Sequence, residues 1–272
     1  MKSWRIIIKK SIRYSFIIIT GASTVASLWG YTVKSINNTW PWWKTGILLL
    51  ALFVFITICF CGILSLTKHK PYKTTINGKS ITIKTGDIFS EKGWKVIPFN
   101  DCYDTQVDDI VIAHNTLNGK MIDRFVNEKE ELQKTIEMAA SDTSSLKPVM
   151  SDDRFVYPLG RLISYKEFLM LSFSHFDNQK RAYLGIGEYE QMLIRMWAEM
   201  RRVYASKPVA IPLIGTGITT IEGMPEKNYT EILKCILCTL RASGFQPEEG
   251  IKIILTNDAM ENIDMNIIKE EF

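Results

Sequence analysis

Ile211-Pro212-Leu213-Ile214-Gly215-Thr216-Gly217-Ile218-Thr219-Thr220 is the stretch on which the fold turns. Its apolar opening reads as a buried strand, and the Gly-Thr-Gly that follows cannot extend that strand and leads toward a helical pattern. A strand ending in glycines exposes backbone N–H groups that can cradle a phosphate or diphosphate, and threonine hydroxyls add donors. No lysine follows at the place a Walker loop requires, and the G-x-G-x-x-G spacing of a dinucleotide fingerprint is missing. Taken alone, the glycines serve an ordinary strand-to-helix turn equally well.

Working outward, a second stretch, Ile81-Thr82-Ile83-Lys84-Thr85-Gly86-Asp87-Ile88-Phe89, also ends a strand in a glycine, here followed by a carboxylate. It forms the second arm of a hairpin predicted over residues 72–76 and 80–84, with Asn77-Gly78 as the tight turn. Between the two stretches the pattern predicts strands at 95–99 and 109–113, a long helix at 120–140 and a polar surface loop at 141–153. Strands at 161–165 and 168–173, a helix at 188–203 and a strand at 208–214 follow, and a helix at 228–243 and a strand at 251–256 complete the series. Strands alternating with helices after an opening hairpin imply an α/β domain: a mixed sheet covered by helices on both faces.

The N-terminal quarter is built differently. Residues 14–33 and 45–66 each run without a charge, the second very rich in Leu, Ile and Phe. About 20 apolar residues cross a hydrocarbon core of about 30 Å, so a transmembrane helical hairpin is predicted in a region 1–70, ahead of a soluble domain 71–272. A cleaved signal peptide has an apolar core of roughly 7–15 residues, shorter than the first segment. Lys2, Arg5, Lys9, Lys10 and Arg13 precede the spans, Lys68, Lys70 and Lys73 follow them, and the short linker carries Trp40, Trp42 and Trp43. Basic outer flanks put both termini and the soluble domain on the cytoplasmic side of a multi-pass protein, with the tryptophans in the headgroup layer. Those flanks explain the net charge of +4 without nucleic acid, and the soluble domain has no basic stripe interleaved with aromatics. Ala22, Ala26 and Gly30 recur every four residues, beside Ser23 and Ser27, which makes one face small enough for close helix approach. Neither span holds an acidic residue, so a carboxylate-lined ion pathway is not supported.

Of the five cysteines, Cys59 and Cys61 lie in an apolar run and Cys102 in a loop, while Cys235 and Cys238 form a C-x-x-C inside a helical pattern. No second pair stands at metal spacing, so neither a zinc site nor a disulfide framework follows, and buried helix cysteines are expected. His114, in His114-Asn115-Thr116-Leu117-Asn118-Gly119-Lys120, reads either as a strand-end histidine or as a ligand contact.

Together the two glycine-ended strands resemble the macrodomain family, which binds ADP-ribose and related nucleotides. The resemblance implies that Asp87, with Ile88, receives the adenine amino group, a role that suits an acceptor-only carboxylate. It assigns Gly215, Thr216, Gly217, Ile218 and Thr219 to the diphosphate, and it makes Asn100 the asparagine facing the ribose. It also puts Asn118, Gly119 and Lys120 near a phosphate or the distal group. The family's central Asn-Ala-Ala-Asn and its glycine-rich loop appear here as Val96-Ile97-Pro98-Phe99-Asn100-Asp101-Cys102-Tyr103-Asp104-Thr105, without glycines. ADP-ribosyl hydrolases of the family use that loop to place a water, so its alteration weighs against hydrolysis.

Two membrane helices followed by an altered macrodomain resemble, over nearly the whole chain, the ThsA effector family of Thoeris antiphage systems. What this implies is a sensor without catalytic residues, cofactor or metal, in the bacterial inner membrane. Its ligand would be an ADP-ribose derivative, the histidine conjugate histidine-ADP-ribose, made from NAD by a TIR-domain partner enzyme. Binding would drive homo-oligomer formation and disrupt the membrane lipid, with abortive infection as the outcome. The competing readings are a membrane-tethered ADP-ribosyl hydrolase, with Asn100, Asp101 or Asp104 assisting water attack, and a scaffold that binds another protein. Lys120, Arg154, Arg161 and Arg181 are unranked candidates for the distal end of the ligand.

Overall fold

The computed structural model of the chain describes residues 2–29, 41–67, 70–224 and 226–272. Residues 1–70 and 71–272 form two separately compact units. In the first, α1 (Lys2–Leu28) packs against α2 (Trp42–Thr67). Each contains a stretch long and apolar enough to cross a membrane: Ile8–Leu28, of mean hydropathy 1.2, and Trp43–Ile63, of mean hydropathy 2.8. Hydroxyls on α1 account for much of that gap. Ser11 and Ser15 are buried, Ser15 Oγ accepting from Thr57 Oγ1 at 3.0 Å and Ser11 Oγ from Cys61 Sγ at 3.2 Å. Thr20, Ser23, Thr24 and Ser27 turn their hydroxyls back onto carbonyls of their own helix, which satisfies them without an outside partner. Ala22 and Ala26 line a shallow apolar groove on α1 with Gly21, Val25 and Trp29. Gly30, Trp40, Lys68 and most of the linker lie outside the described residues.

The second unit opens with β1 (Tyr72–Ile76) and β2 (Lys79–Thr85), joined by Asn77 at φ 53° and Gly78 at φ 76°. Two successive left-handed residues are what a tight hairpin turn demands. The sheet continues with β3 (Trp94–Asn100), β6 (Leu162–Tyr165), β7 (Phe168–Phe176), β8 (Ala182–Gly185), β9 (Val209–Pro212), β10 (Thr220–Glu222) and β11 (Ile251–Leu255). Its order is β1-β2-β11-β9-β3-β7-β8-β10, with β6 paired to β7. From β2 to β7 every neighbouring pair is parallel. Of these, β3, β7, β9 and β11 read as near-continuous apolar runs because both faces are covered, whereas β2 alternates. On one face lie α5 (Ile186–Val203) and α6 (Tyr229–Ser243), which bury Tyr189, Met192, Met196 and Trp197, and Ile232, Leu233, Ile236 and Leu240, at helical spacing. On the other lie α3 (Leu117–Phe125) and α4 (Lys129–Met138), which bury Met121, Ile122, Leu132 and Ile136 with Tyr103 and Tyr157. Each large side chain fully buried this way contributes roughly 1.5–3 kcal/mol.

Four expectations are corrected. Residues 109–113 are not a strand: Asp108 Oδ1 accepts from the N–H groups of Ile110 and Val111 at 2.9 and 2.7 Å, and this local turn leaves only an isolated bridge between Val107 and Ile112. The long helix is two helices, because Val126 and Glu128 adopt extended backbone between α3 and α4. The polar stretch 141–153 is not wholly a surface loop. Ser144 is buried with its Oγ donating to Glu199 at 2.7 Å, and Asp142 pairs with Arg161 at 2.5 Å; a small hairpin, β4 (Val149–Ser151) with β5 (Arg154–Val156), follows. The chain also does not finish at β11: α7 (Asn257–Asn262) and α8 (Met265–Glu271) close the unit.

Candidate functional site

Parallel strands end together, and the crevice beyond their carboxyl ends is where an open α/β sheet binds ligands. Here β2, β3, β9 and β11 all finish at one cleft of about 660 Å³, within the range of small-molecule sites. Asp87, Ile88, Asn100, Asn118, Lys120 and Gly215 through Thr219 line it. Gly119 does not: it sits against the preceding loop, where a Cβ would lie 2.3 Å from the Ala113 carbonyl oxygen, so its missing side chain serves packing.

At the β9 end, Gly215 has φ +98°, and a Cβ there would meet Ile221 and Tyr189 at 3.1 and 3.2 Å. Glycine is therefore required both by backbone conformation and by space. The turn closes through Thr216, whose N–H and Oγ1 both donate to the Leu213 carbonyl, at 3.4 and 2.8 Å. The N–H groups of Gly217, Ile218 and Thr219 then have no hydrogen-bond partner among the described residues. Successive unpaired N–H groups on a cleft wall form an anion-binding concavity.

At the β2 end, Asp87 caps a single 3₁₀ turn, Ile88–Ser90, its Oδ1 accepting from Phe89 N–H at 3.0 Å. Its other carboxylate oxygen is unused among the described residues. Lys120 and Arg124 stand one turn apart on α3, and both line the cleft. Neither forms an ion pair among the described residues, and the Arg124 guanidinium lies 5.7 Å from the centre of the Phe89 ring. The sequence reading missed Arg124, although i,i+4 spacing from Lys120 on a helix was enough to find it.

The β3 end is closed by its own side chains. Asn100 is committed in both directions, its Nδ2 donating to Asp104 Oδ2 at 2.8 Å and its Oδ1 accepting from Asp104 N–H at 2.9 Å. Asp104 in turn accepts from Arg154 of β5. The next residue, Asp101, is buried and bonds His175 Nδ1 at 2.6 Å, while His175 Nε2 lies 3.4 Å from Glu188. The hydrogen bond to Asp101 raises the His175 pKa above its ordinary value. Burial, with Asp101 beside it, pushes the Cys102 thiol up to about 11. Tyr103 is buried, its hydroxyl donating to the Arg161 carbonyl at 2.8 Å. Of the three other arginines considered from sequence, Arg154 is thus held by Asp104, Arg161 is fully buried against Glu199 and Asp142, and Arg181 bonds Asp177 at 2.7 Å. His114 is an exposed residue bonded to Asp123 at 2.6 Å, and it is its neighbours Ala113 and Asn115 that line the cleft. Cys235 and Cys238 lie on α6 as free, partly buried thiols, and burial pushes Cys235 up to about 12.

The profile of the family described as Thoeris protein ThsA, Macro domain, matches residues 81–256, which span every strand end that forms the cleft. The Thoeris protein ThsA of Bacillus amyloliquefaciens (strain Y2) is 30% identical over 234 residues, covering 82% of this chain and 78% of that protein. Among solved structures, a mutant Oceanobacillus iheyensis macrodomain with ADPR superposes with TM-score 0.50 at 16% identity, covering 74% of this chain and 98% of that one. The macrodomain of the same organism with MES bound gives TM-score 0.50 at 15% identity, over 75% and 99% of the two chains. At such identity these structures establish the macrodomain fold.

Proposed function

The chain belongs to the Thoeris ThsA family, and on that premise we propose that its macrodomain is the sensor of a membrane effector: it binds an ADP-ribose derivative and leaves it intact. The observation that carries this reading is the pairing of an open phosphate loop with a closed one. Unpaired N–H groups of Gly217, Ile218 and Thr219 line a cleft that Lys120 and Arg124 also line, and both sets of donors suit a dianionic diphosphate. Asp87 has a free acceptor for an exocyclic amine at the other end. The loop that would place a hydrolytic water is filled by Asn100, Asp101 and Asp104, each already bonded within the protein. Asn118 belongs to the ligand-facing set, and Gly119 acts by letting α3 start close to the Ala113 carbonyl.

The ligand in this reading is histidine-ADP-ribose, supplied by a TIR-domain enzyme that consumes NAD. Two apolar helices with basic outer flanks support a multi-pass protein of the bacterial inner membrane with both termini cytoplasmic. Ligand can drive a change only by binding the assembled state more tightly than the resting one. The groove around Ala22 and Ala26 is the contact through which assembled copies pack, ending in disruption of the membrane.

Calorimetry on the detergent-solubilised full-length protein, with ADP-ribose and its histidine conjugate, tests the sensor; chromatography of the ligand afterwards tests whether it survives. Tight binding with intact ligand is expected. A consumed ligand would make the protein a hydrolase instead, and absence of binding would remove the sensor altogether. For the membrane part, Ala22→Leu with Ala26→Leu is expected to abolish ligand-driven assembly seen by crosslinking in membranes. Unchanged assembly would dismiss the groove.

A further inference from the structure

Lys227 lies between β10 and α6, outside every stretch singled out from sequence and off the cleft wall. Its ammonium donates to the backbone carbonyl of Gly217 in the phosphate loop. It is partly buried, and among the described residues it forms no ion pair with any carboxylate. Burial lowers its pKa from the ordinary lysine value, yet no neighbouring anion compensates the charge. An unneutralised cation held behind a loop is costly to bury, and the cost is offset when an anion arrives on the loop's other side.

Geometry gives the bond a second consequence. In a trans peptide the C=O of one residue and the N–H of the next point in opposite directions, and the unit is rigid. Gly217 has no side chain to fix its conformation, and a Cβ there would touch nothing within 4 Å, so packing does not hold this peptide either. Gly217 and Ile218 line the cleft whereas Lys227 does not. A carbonyl drawn back to Lys227 therefore turns the Ile218 N–H, which has no partner among the described residues, toward the cleft.

We propose that Lys227 is a positioning residue for anion binding: it locks the Gly217–Ile218 peptide with its N–H aimed at the ligand's diphosphate, and it supplies the positive charge that balances that diphosphate from behind the loop. This rests on the nucleotide-sensor reading above. The lysine touches loop backbone, not ligand, so its effect is confined to ligands that carry phosphates.

The test compares wild type, Lys227→Met, Lys227→Gln and Lys227→Arg as detergent-solubilised full-length proteins, titrated by calorimetry with ADP-ribose, ADP and adenosine at two salt concentrations. Lys227→Met is expected to weaken ADP-ribose and ADP by about tenfold, the size of one charge-assisted contact, while leaving adenosine unchanged and flattening the salt dependence. Lys227→Arg should restore most of the loss, and Lys227→Gln, which keeps a donor without the charge, should fall between. Equal weakening of adenosine would reduce Lys227 to a structural residue, and unchanged binding of all three ligands by Lys227→Met would overturn the proposal while leaving the sensor standing. Wild-type protein that binds none of ADP-ribose, ADP and the histidine conjugate of ADP-ribose would overturn both. Thermal midpoints within a degree or two across the four proteins separate these outcomes from misfolding.

Discussion

The loops after β9 and β3 emerge from neighbouring parallel strands onto the same cleft, and they have been treated in opposite ways. After β9 the chain places two glycines and leaves three successive N–H groups unpaired: Gly217 has open space where a Cβ would be, and the N–H groups of Gly217, Ile218 and Thr219 donate to nothing among the described residues. After β3 the chain carries Asn100, Asp101 and Asp104, and every one of them is spent on another residue of the same unit. Polar groups left unmatched in a cleft stand ready for a ligand, whereas matched ones stabilise the protein and are costly to redirect. Of the two loops, only the one after β9 leaves its polar groups free for a ligand in the cleft.

The largest effect that could break this comparison is at the open loop. Glutamate at position 217 has room to fit and would place a carboxylate among the unpaired N–H groups. Gly217→Glu is expected to weaken ADP-ribose binding by more than about a hundredfold, through like-charge repulsion and lost donors, with a thermal midpoint close to wild type. Calorimetry and a melting curve on the same preparation decide it. Retained binding would mean that the diphosphate does not lie on this loop.

How far each loop was legible in the sequence follows the same division. The open loop is a local feature: an apolar run ending in Gly-Thr-Gly marks the strand end and the turn, while the phosphate role of Gly215 through Thr219 came from the family resemblance and not from the glycines alone. The mixed sheet was legible in outline, because most of its strands alternate with helices of clear period, whereas the short β8 and β10 carry too few apolar residues to stand out. The closed loop depends on partners remote in sequence. Asn100 is held through Asp104 by Arg154, and Asp101 by His175, pairings that only the tertiary arrangement creates. The break between α3 and α4 was hidden for a related reason: apolar residues at helical spacing continue across Val126, and the period does not record an extended residue between two helices. Lys227 carries no signal at all, since its partner is a backbone carbonyl.

An intermediate effect is expected at the hinge of the closed loop. Asp104→Ala removes the acceptor for both Asn100 and Arg154, leaving the Asn100 amide unmatched at the end of β3. Urea denaturation should register a loss of about 1–2 kcal/mol, while ADP binding, which uses the other wall, changes by less than about threefold. Should ADP affinity collapse as well, the two walls are coupled and the division drawn here is wrong. Turnover of ADP-ribose appearing in this variant would show that Asp104 was all that kept the loop inactive.

The smallest effect is a pH dependence. The His175 pKa is raised because its Nδ1 bonds the buried Asp101 carboxylate, with Glu188 on the ring's other nitrogen and the Tyr183 ring 5.7 Å away. A raised histidine pKa means that the folded state binds the proton more tightly than the unfolded chain does. The stabilisation is therefore fully present below the ordinary histidine value, near 6.5, and disappears as pH climbs through the folded-state value above it. His175→Gln should accordingly cost more stability at pH 6 than at pH 8.5, by roughly 0.5–1 kcal/mol, the size of a partly exposed ion pair. Melting curves at the two pH values measure that difference, and an equal cost at both would show that the Asp101–His175 contact acts as a neutral hydrogen bond. ADP-ribose affinity should not follow the same profile, because His175 stands off the cleft wall while Ser174 and Phe176, its neighbours on β7, face it. A binding curve that tracked the histidine would instead make the closed loop part of the sensor's response.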